Sequence, residues 1–83
     1  MNEQKIFELL VQFVEDNYDG CHINSLYTDG NVYSSTILYD NDVPEGNIVF
    51  YDPSTGIISR KHFMTDIAES NGAPLTKVNL GNG

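Results

Sequence analysis

From Ile6 to Tyr18 the apolar residues Ile6, Phe7, Leu10, Val11, Phe13, Val14 and Tyr18 recur at helical spacing, while Glu8, Gln12, Glu15, Asp16 and Asp19 fall on the opposite side. That pattern predicts one amphipathic helix over about residues 3–18, with Asn2 as its cap, Glu3 in its first turn and Asp19-Gly20 at its end. A helix with one broad apolar face must bury that face against another layer. The rest of the chain supplies short apolar runs divided by turn residues, which is how a sheet reads. The fold class expected is therefore α+β, a small, mostly antiparallel sheet of about four to five strands packed by the N-terminal helix and a short second helix.

Cys21 to Tyr39 reads as a β-hairpin around Asp29-Gly30, a dipeptide suited to a two-residue turn in which both positions take positive φ. This register sets Tyr27 against Val32, Leu26 against Tyr33, Ile23 against Thr36 and His22 against Ile37. Both faces of such a hairpin are partly apolar, so the face that meets the helix stays open. Residues 40–47 read as a polar loop, and Ile48 to Tyr51 as a short apolar strand. Asp52-Pro53-Ser54-Thr55-Gly56 is a second tight turn, from which Ile57 to Ser59 returns as a strand. Near Arg60 the period changes: Phe63, Met64, Ile67 and Ala68 suit a short helix capped by Ser59 and closed by Asn71-Gly72. Leu75 to Leu80 is expected to add an edge strand, with residues 79–83 fraying. Phe7, Leu10, Val14, Ile48, Phe50, Phe63 and Ile67 are the expected core.

Eighty-three residues make one domain, 1–83, with an unaided but thin core. The balance of 12 acidic to 4 basic residues gives a net charge of −8. Nucleic-acid binders gain most of their affinity by neutralising phosphates, so direct nucleic-acid binding is excluded, and anionic membrane with it. A surface of this sign suits a basic protein. Cys21 is the single cysteine, so no internal disulfide forms, and an intracellular, cytoplasmic home is expected. The apolar run Ile6 to Val14 is interrupted by Glu8 and Gln12 and is too short to span a bilayer.

The residues do not assemble into a catalytic set. His22 and His62 lie on different elements, and Cys21 and His22, adjacent on a strand, point to opposite faces. Gly-rich phosphate loops, nucleophile elbows and His-Glu-x-x-His zinc motifs are all missing from the sequence. Asp40, Asp42 and Glu45 invite a calcium reading, but Pro44 stands where a ligand belongs and Glu45 where an EF-hand needs glycine. One cysteine and two histidines are too few for a structural zinc site. The expectation is a non-enzyme without metal or cofactor.

Tyr51-Asp52-Pro53-Ser54-Thr55-Gly56, with Arg60-Lys61 following, resembles a hairpin found ahead of the active site in phage HNH homing endonucleases. The likeness covers this short stretch alone and rests on turn chemistry. The histidine-asparagine-histidine core of that family has no counterpart here, so its nuclease activity is not carried over.

The acidic surface is the remaining lead. Glu8, Glu15, Asp16 and Asp19 form a helical stripe, and Asp40, Asp42 and Glu45 a second patch, while Lys5, Arg60, Lys61 and Lys77 lie elsewhere. Carboxylates spread along one face can imitate duplex phosphates, which would let a small protein block a nucleic-acid-binding groove. The expected role is a non-catalytic protein-binding domain that inhibits or modulates a larger basic protein, such as a phage- or mobile-element-encoded inhibitor of a host nuclease or defence system. The alternatives are an immunity protein or antitoxin against a basic nuclease toxin, and a small structural subunit. The last would form a homo-oligomer, a homodimer for example, through exposed Tyr33 and Tyr39.

Overall fold

The computed structural model describes residues 2–62 and 76–80. Helix α1 (Glu3–Asn17) begins where the Asn2 side chain accepts a hydrogen bond from the Lys5 amide at 2.8 Å, satisfying one of the unpaired amides of the first turn. It ends at Tyr18, whose φ of −134° leaves the helix, and Gly20 then takes a φ of +78° to swing the chain into the sheet. Ile6, Leu10 and Val14, spaced four apart, are its buried residues. No described helix is long and apolar enough to cross a membrane.

The strands are β1 (Cys21–His22), β2 (Tyr27–Thr28), β3 (Tyr33–Tyr39), β4 (Pro44–Asp52), β5 (Ile57–His62) and β6 (Thr76–Lys77). They form one antiparallel sheet in the order β5-β4-β3-β2-β6, with β1 also pairing β3. α1 packs over β1, β3 and β4. Beneath it the core gathers Ile23, Leu26, Ile37, Val49, Tyr51 and Val78, with Phe7, Tyr33, Ile58 and Leu80 packed against it. The α+β class therefore holds, with one N-terminal helix on an antiparallel sheet. Of the expected edge strand over 75–80, only Thr76–Lys77 forms one, β6, antiparallel to β2, and Leu80, expected in a frayed tail, packs against the core.

The expected hairpin register is corrected. Tyr27 pairs with Ser34 and Thr28 with Tyr33, so Asp29-Gly30-Asn31-Val32 is a wider loop and not a two-residue turn. The Asp29 carboxylate accepts from the amides of Asn31 (2.9 Å) and Val32 (3.1 Å), and Gly30 alone within the loop has positive φ. A side chain that bonds the backbone two residues on favours this wider loop over a turn needing positive φ at both corners. The first strand also breaks in two. Between β1 and β2, residues 23–26 leave the ladder, with the Ser35 hydroxyl donating to the Ser25 carbonyl and the Val78 amide to the Leu26 carbonyl. The detour turns Ile23 and fully buried Leu26 into the core.

Three further readings change. Residues 40–47 are not one loop, because β4 already begins at Pro44. The expected core residues on this strand, Ile48 and Phe50, are half-buried, and the alternate positions Val49 and Tyr51 enter the core instead. Ser59 caps no helix: it lies within β5, which runs on through Arg60 and Lys61 to His62. The second helix expected from Phe63, Met64, Ile67 and Ala68 lies outside the described residues.

The turn at Asp52 forms as its residues imply. The Asp52 carboxylate accepts from the Ser54 amide (2.9 Å) and hydroxyl (2.7 Å), the Gly56 amide donates to the Asp52 carbonyl (2.7 Å), and Gly56 has a φ of +74°. Those bonds to Ser54 hold the Asp52 carboxyl below the usual aspartate range.

Two outcomes follow from this packing. Leu10→Ala, which empties a fully buried site, lowers stability by about 2–5 kcal/mol in denaturant melts. Asp52 stabilises the fold above the ordinary aspartate pKa, and that contribution disappears as pH falls through its depressed folded-state value. Asp52→Ala therefore melts earlier than the parent chain at neutral pH, and the two curves converge in strong acid.

Candidate functional site

The β3–β4 turn shapes one end of the molecule. The Asp42 amide donates to the Tyr39 carbonyl and the Tyr39 amide to the Val43 carbonyl, both at 2.8 Å, which closes a three-residue loop of Asp40, Asn41 and Asp42. Asp42 takes the left-handed conformation, φ +65°, which aspartate tolerates better than bulkier residues. Its carboxylate lies 2.7 Å from His22 Nε2, a contact made because β1 pairs His22 with Leu38 and carries the imidazole to the end of β3. Both partners are well exposed, so this pair orients the turn and adds little to stability.

Cys21 sits one position earlier, opposite Tyr39, and packs against the core. Its thiol pKa is pushed up, first by burial and then by the negative charges of Glu45, Asp40 and Asp19. Those carboxylates come from separate elements: Asp19 from the turn after α1, Asp40 from the β3–β4 turn and Glu45 from the start of β4. The stripe assigned to the helix is thus corrected at one member. Asp19 lies beyond the last helical residue, Asn17, in the turn that leads to β1.

Glu8, Glu15 and Asp16 are exposed on α1, where Gln4 donates to Glu8 (3.3 Å) and Gln12 to Asp16 (2.9 Å). Glu8 stands about 10 Å along the axis from Glu15, so it is the member of the stripe farthest from the turn. Glu45 accepts from both the backbone and side-chain nitrogens of Asn47, at 3.0 and 2.9 Å. The Arg60 guanidinium lies on the flank, 6.0 Å above the Tyr18 ring and 3.5 Å from Asn47 Oδ1.

The two tyrosines differ. Tyr33 is half-buried and its hydroxyl donates to Glu3 at 3.2 Å, tying β3 to the helix start. Burial first, then the Glu3 carboxylate, raises its phenol pKa. Tyr39 is 46% exposed and is matched across the turn by Val43 at 48%. Val43 escaped the sequence reading, although a β-branched residue before Pro44 already favours extended backbone.

Cys21 packs inward while His22 turns to Asp42, so the two are not presented as a nucleophile and base. Among the described residues, no three His, Cys, Asp or Glu side chains are gathered as a metal requires. A shallow depression of about 350 Å³ beside β6, lined by Asn24, Ser25, Lys77, Val78, Asn79 and Leu80, has Lys77 as its one charged residue and lacks an acid–base pair.

No family model matches the chain, and comparisons with curated proteins and with solved structures return no match.

The thiol offers a direct check on this electrostatic picture. Alkylation of Cys21 by iodoacetamide rises at higher pH than for a cysteine in an unstructured peptide. Asp40→Asn with Glu45→Gln moves the profile part of the way back, because burial is the larger cause. A profile matching the free peptide in the parent chain contradicts the placement of these charges.

Proposed function

We propose that this chain is a non-catalytic protein-binding domain that inhibits or modulates a larger basic protein, of the kind that itself binds nucleic acid. The observation that carries the reading is the pairing of β1 with β3, which sets Cys21, two residues after Asp19, opposite Tyr39, the residue before Asp40. It joins the acidic end of α1, with Glu15 and Asp16 in its last turns, to the β3–β4 turn. The C-terminal turn of α1 contains no basic residue, so the negative end of the helix dipole adds to the same field. With a net charge of −8 behind it, this end attracts a cationic surface and repels phosphate. A phage- or mobile-element-encoded inhibitor of a host nuclease or defence protein would use such a surface to occupy the groove that normally takes nucleic acid.

The test begins with affinity capture from the source cell, or its host, at low and high salt. A basic partner held at low salt is then mixed with a variant carrying Glu8→Gln, Glu15→Gln, Asp16→Asn and Asp19→Asn. Exposed charges contribute little to folding, so the variant melts like the parent. Its association slows by about tenfold and loses much of its salt dependence, because complementary fields act mainly on encounter. Unchanged rate and affinity in the folded variant refute the acidic reading. A salt-insensitive homodimer favours the structural alternative.

A further inference from the structure

The exposed apolar residues are not scattered evenly. Leu9 stands singly on α1 and Ile57 at the far end of the sheet, opposite Asp52, whereas Tyr39 and Val43 are direct neighbours across the closing hydrogen bond of the β3–β4 turn. Single exposed apolar side chains are ordinary, but an adjacent pair, each about half exposed, is a small platform. It continues inward through half-buried Cys21, which lies opposite Tyr39. The platform is also stiff. Val43 precedes Pro44, Asp42 is locked in the left-handed region, and His22 holds the Asp42 carboxylate, so docking there orders little new backbone.

Its rim decides what fits. Asp40 is exposed and makes no hydrogen bond or ion pair with any described residue, unlike Asp42, held by His22, and Glu45, held by Asn47. An aromatic ring and a branched alkyl group beside an unpartnered carboxylate suit a flat cation. The guanidinium group stacks on an aromatic face and forks towards a carboxylate, while an ammonium remains a compact, strongly hydrated charge. The chain already sets its one arginine, Arg60, over Tyr18, and Lys61 sits over Phe50, so the preference for arginine rests on the fork towards Asp40.

We propose that Tyr39 and Val43 are the anchor point of the acidic end, taking the side chain of an arginine from a basic protein partner, with Asp40 meeting its guanidinium. The assignment rests on the basic-partner reading above and adds the residue type recognised and the place where it seats.

The experiment uses the full chain, labelled with ¹⁵N and titrated at low salt with hexa-arginine and, separately, hexa-lysine peptides. Amide shifts centred on Cys21 and on residues 39–43, with hexa-arginine about fivefold or more tighter than hexa-lysine, support the anchor. Tyr39→Ala weakens hexa-arginine about fivefold to tenfold, whereas Tyr39→Phe, which keeps the ring, stays within about twofold. If Tyr39→Ala fails to fold, Val43→Ser with Asp40→Asn supplies the same loss. Equal binding of the two peptides, with shifts spread over Glu8, Glu15 and Asp16, overturns the anchor and leaves the acidic reading standing. No binding of either peptide at low salt overturns both.

Discussion

The structure depends on the burial of one helical stripe. Ile6, Leu10 and Val14 lose essentially all contact with solvent in one core with Ile23, Leu26, Ile37, Val49, Tyr51 and Val78. Each such side chain contributes about 1.5–3 kcal/mol when removed from water, so this small set of contacts outweighs any exposed ion pair in the molecule. The geometry of the burial has a second effect. With α1 lying over β1, β3 and β4, the turn that follows it leads into β1, which pairs Cys21 with Tyr39 at the end of β3 next to Asp40. The acidic end is a consequence of how the helix is packed.

Close approach of carboxylates costs energy, and the fold tolerates it through exposure and hydrogen bonding. Asp40 and Asp42 are solvated, His22 meets Asp42, and Asn47 donates twice to Glu45. The contact between His22 and Asp42 in turn depends on the break between β1 and β2. The expected two-residue turn would have set His22 opposite Ile37, yet the wider Asp29 loop and the detour at residues 23–26 bring it opposite Leu38. The Ser35 hydroxyl on the Ser25 carbonyl replaces a lost ladder bond there, which a buried detour requires. A local choice at the far end of the hairpin thus determines which side chain reaches the β3–β4 turn.

The chain invests its polar groups in shaping turns. Asp29, Asp42, Glu45 and Asp52 each fix backbone or a neighbouring side chain, and Cys21 is held as a thiol by burial and by the carboxylates around it. Tyr39 and Val43 stay exposed at the same end, beside the exposed carboxylate of Asp40.

The sequence by itself determined the elements whose signals are local. The 3.6-residue spacing of Ile6, Leu10 and Val14, the Asn2 cap and the Asp52–Gly56 turn each act through neighbours within a few positions, and all are found as read. The net charge and the identity of the exposed carboxylates on α1 were equally legible, since they depend on composition and on which side of a helix is apolar. Tertiary structure alone decided the rest. Ile48-Val49-Phe50-Tyr51 is apolar on both faces, so only the pairing of β4 with β3 selects Val49 and Tyr51 for the core. Asp29-Gly30 is compatible with either of two loops, and the wider one is fixed by the Asp29 carboxylate together with the pairing of β2 to β3 and β6. Tyr33 and Tyr39 look alike in sequence, yet one is tied to Glu3 and the other left exposed, because each is placed by contacts between elements distant along the chain. For the same reason Asp19, counted on the helix by its spacing, lies in the turn after it, which the pairing of Cys21 with Tyr39 carries to the end of β3.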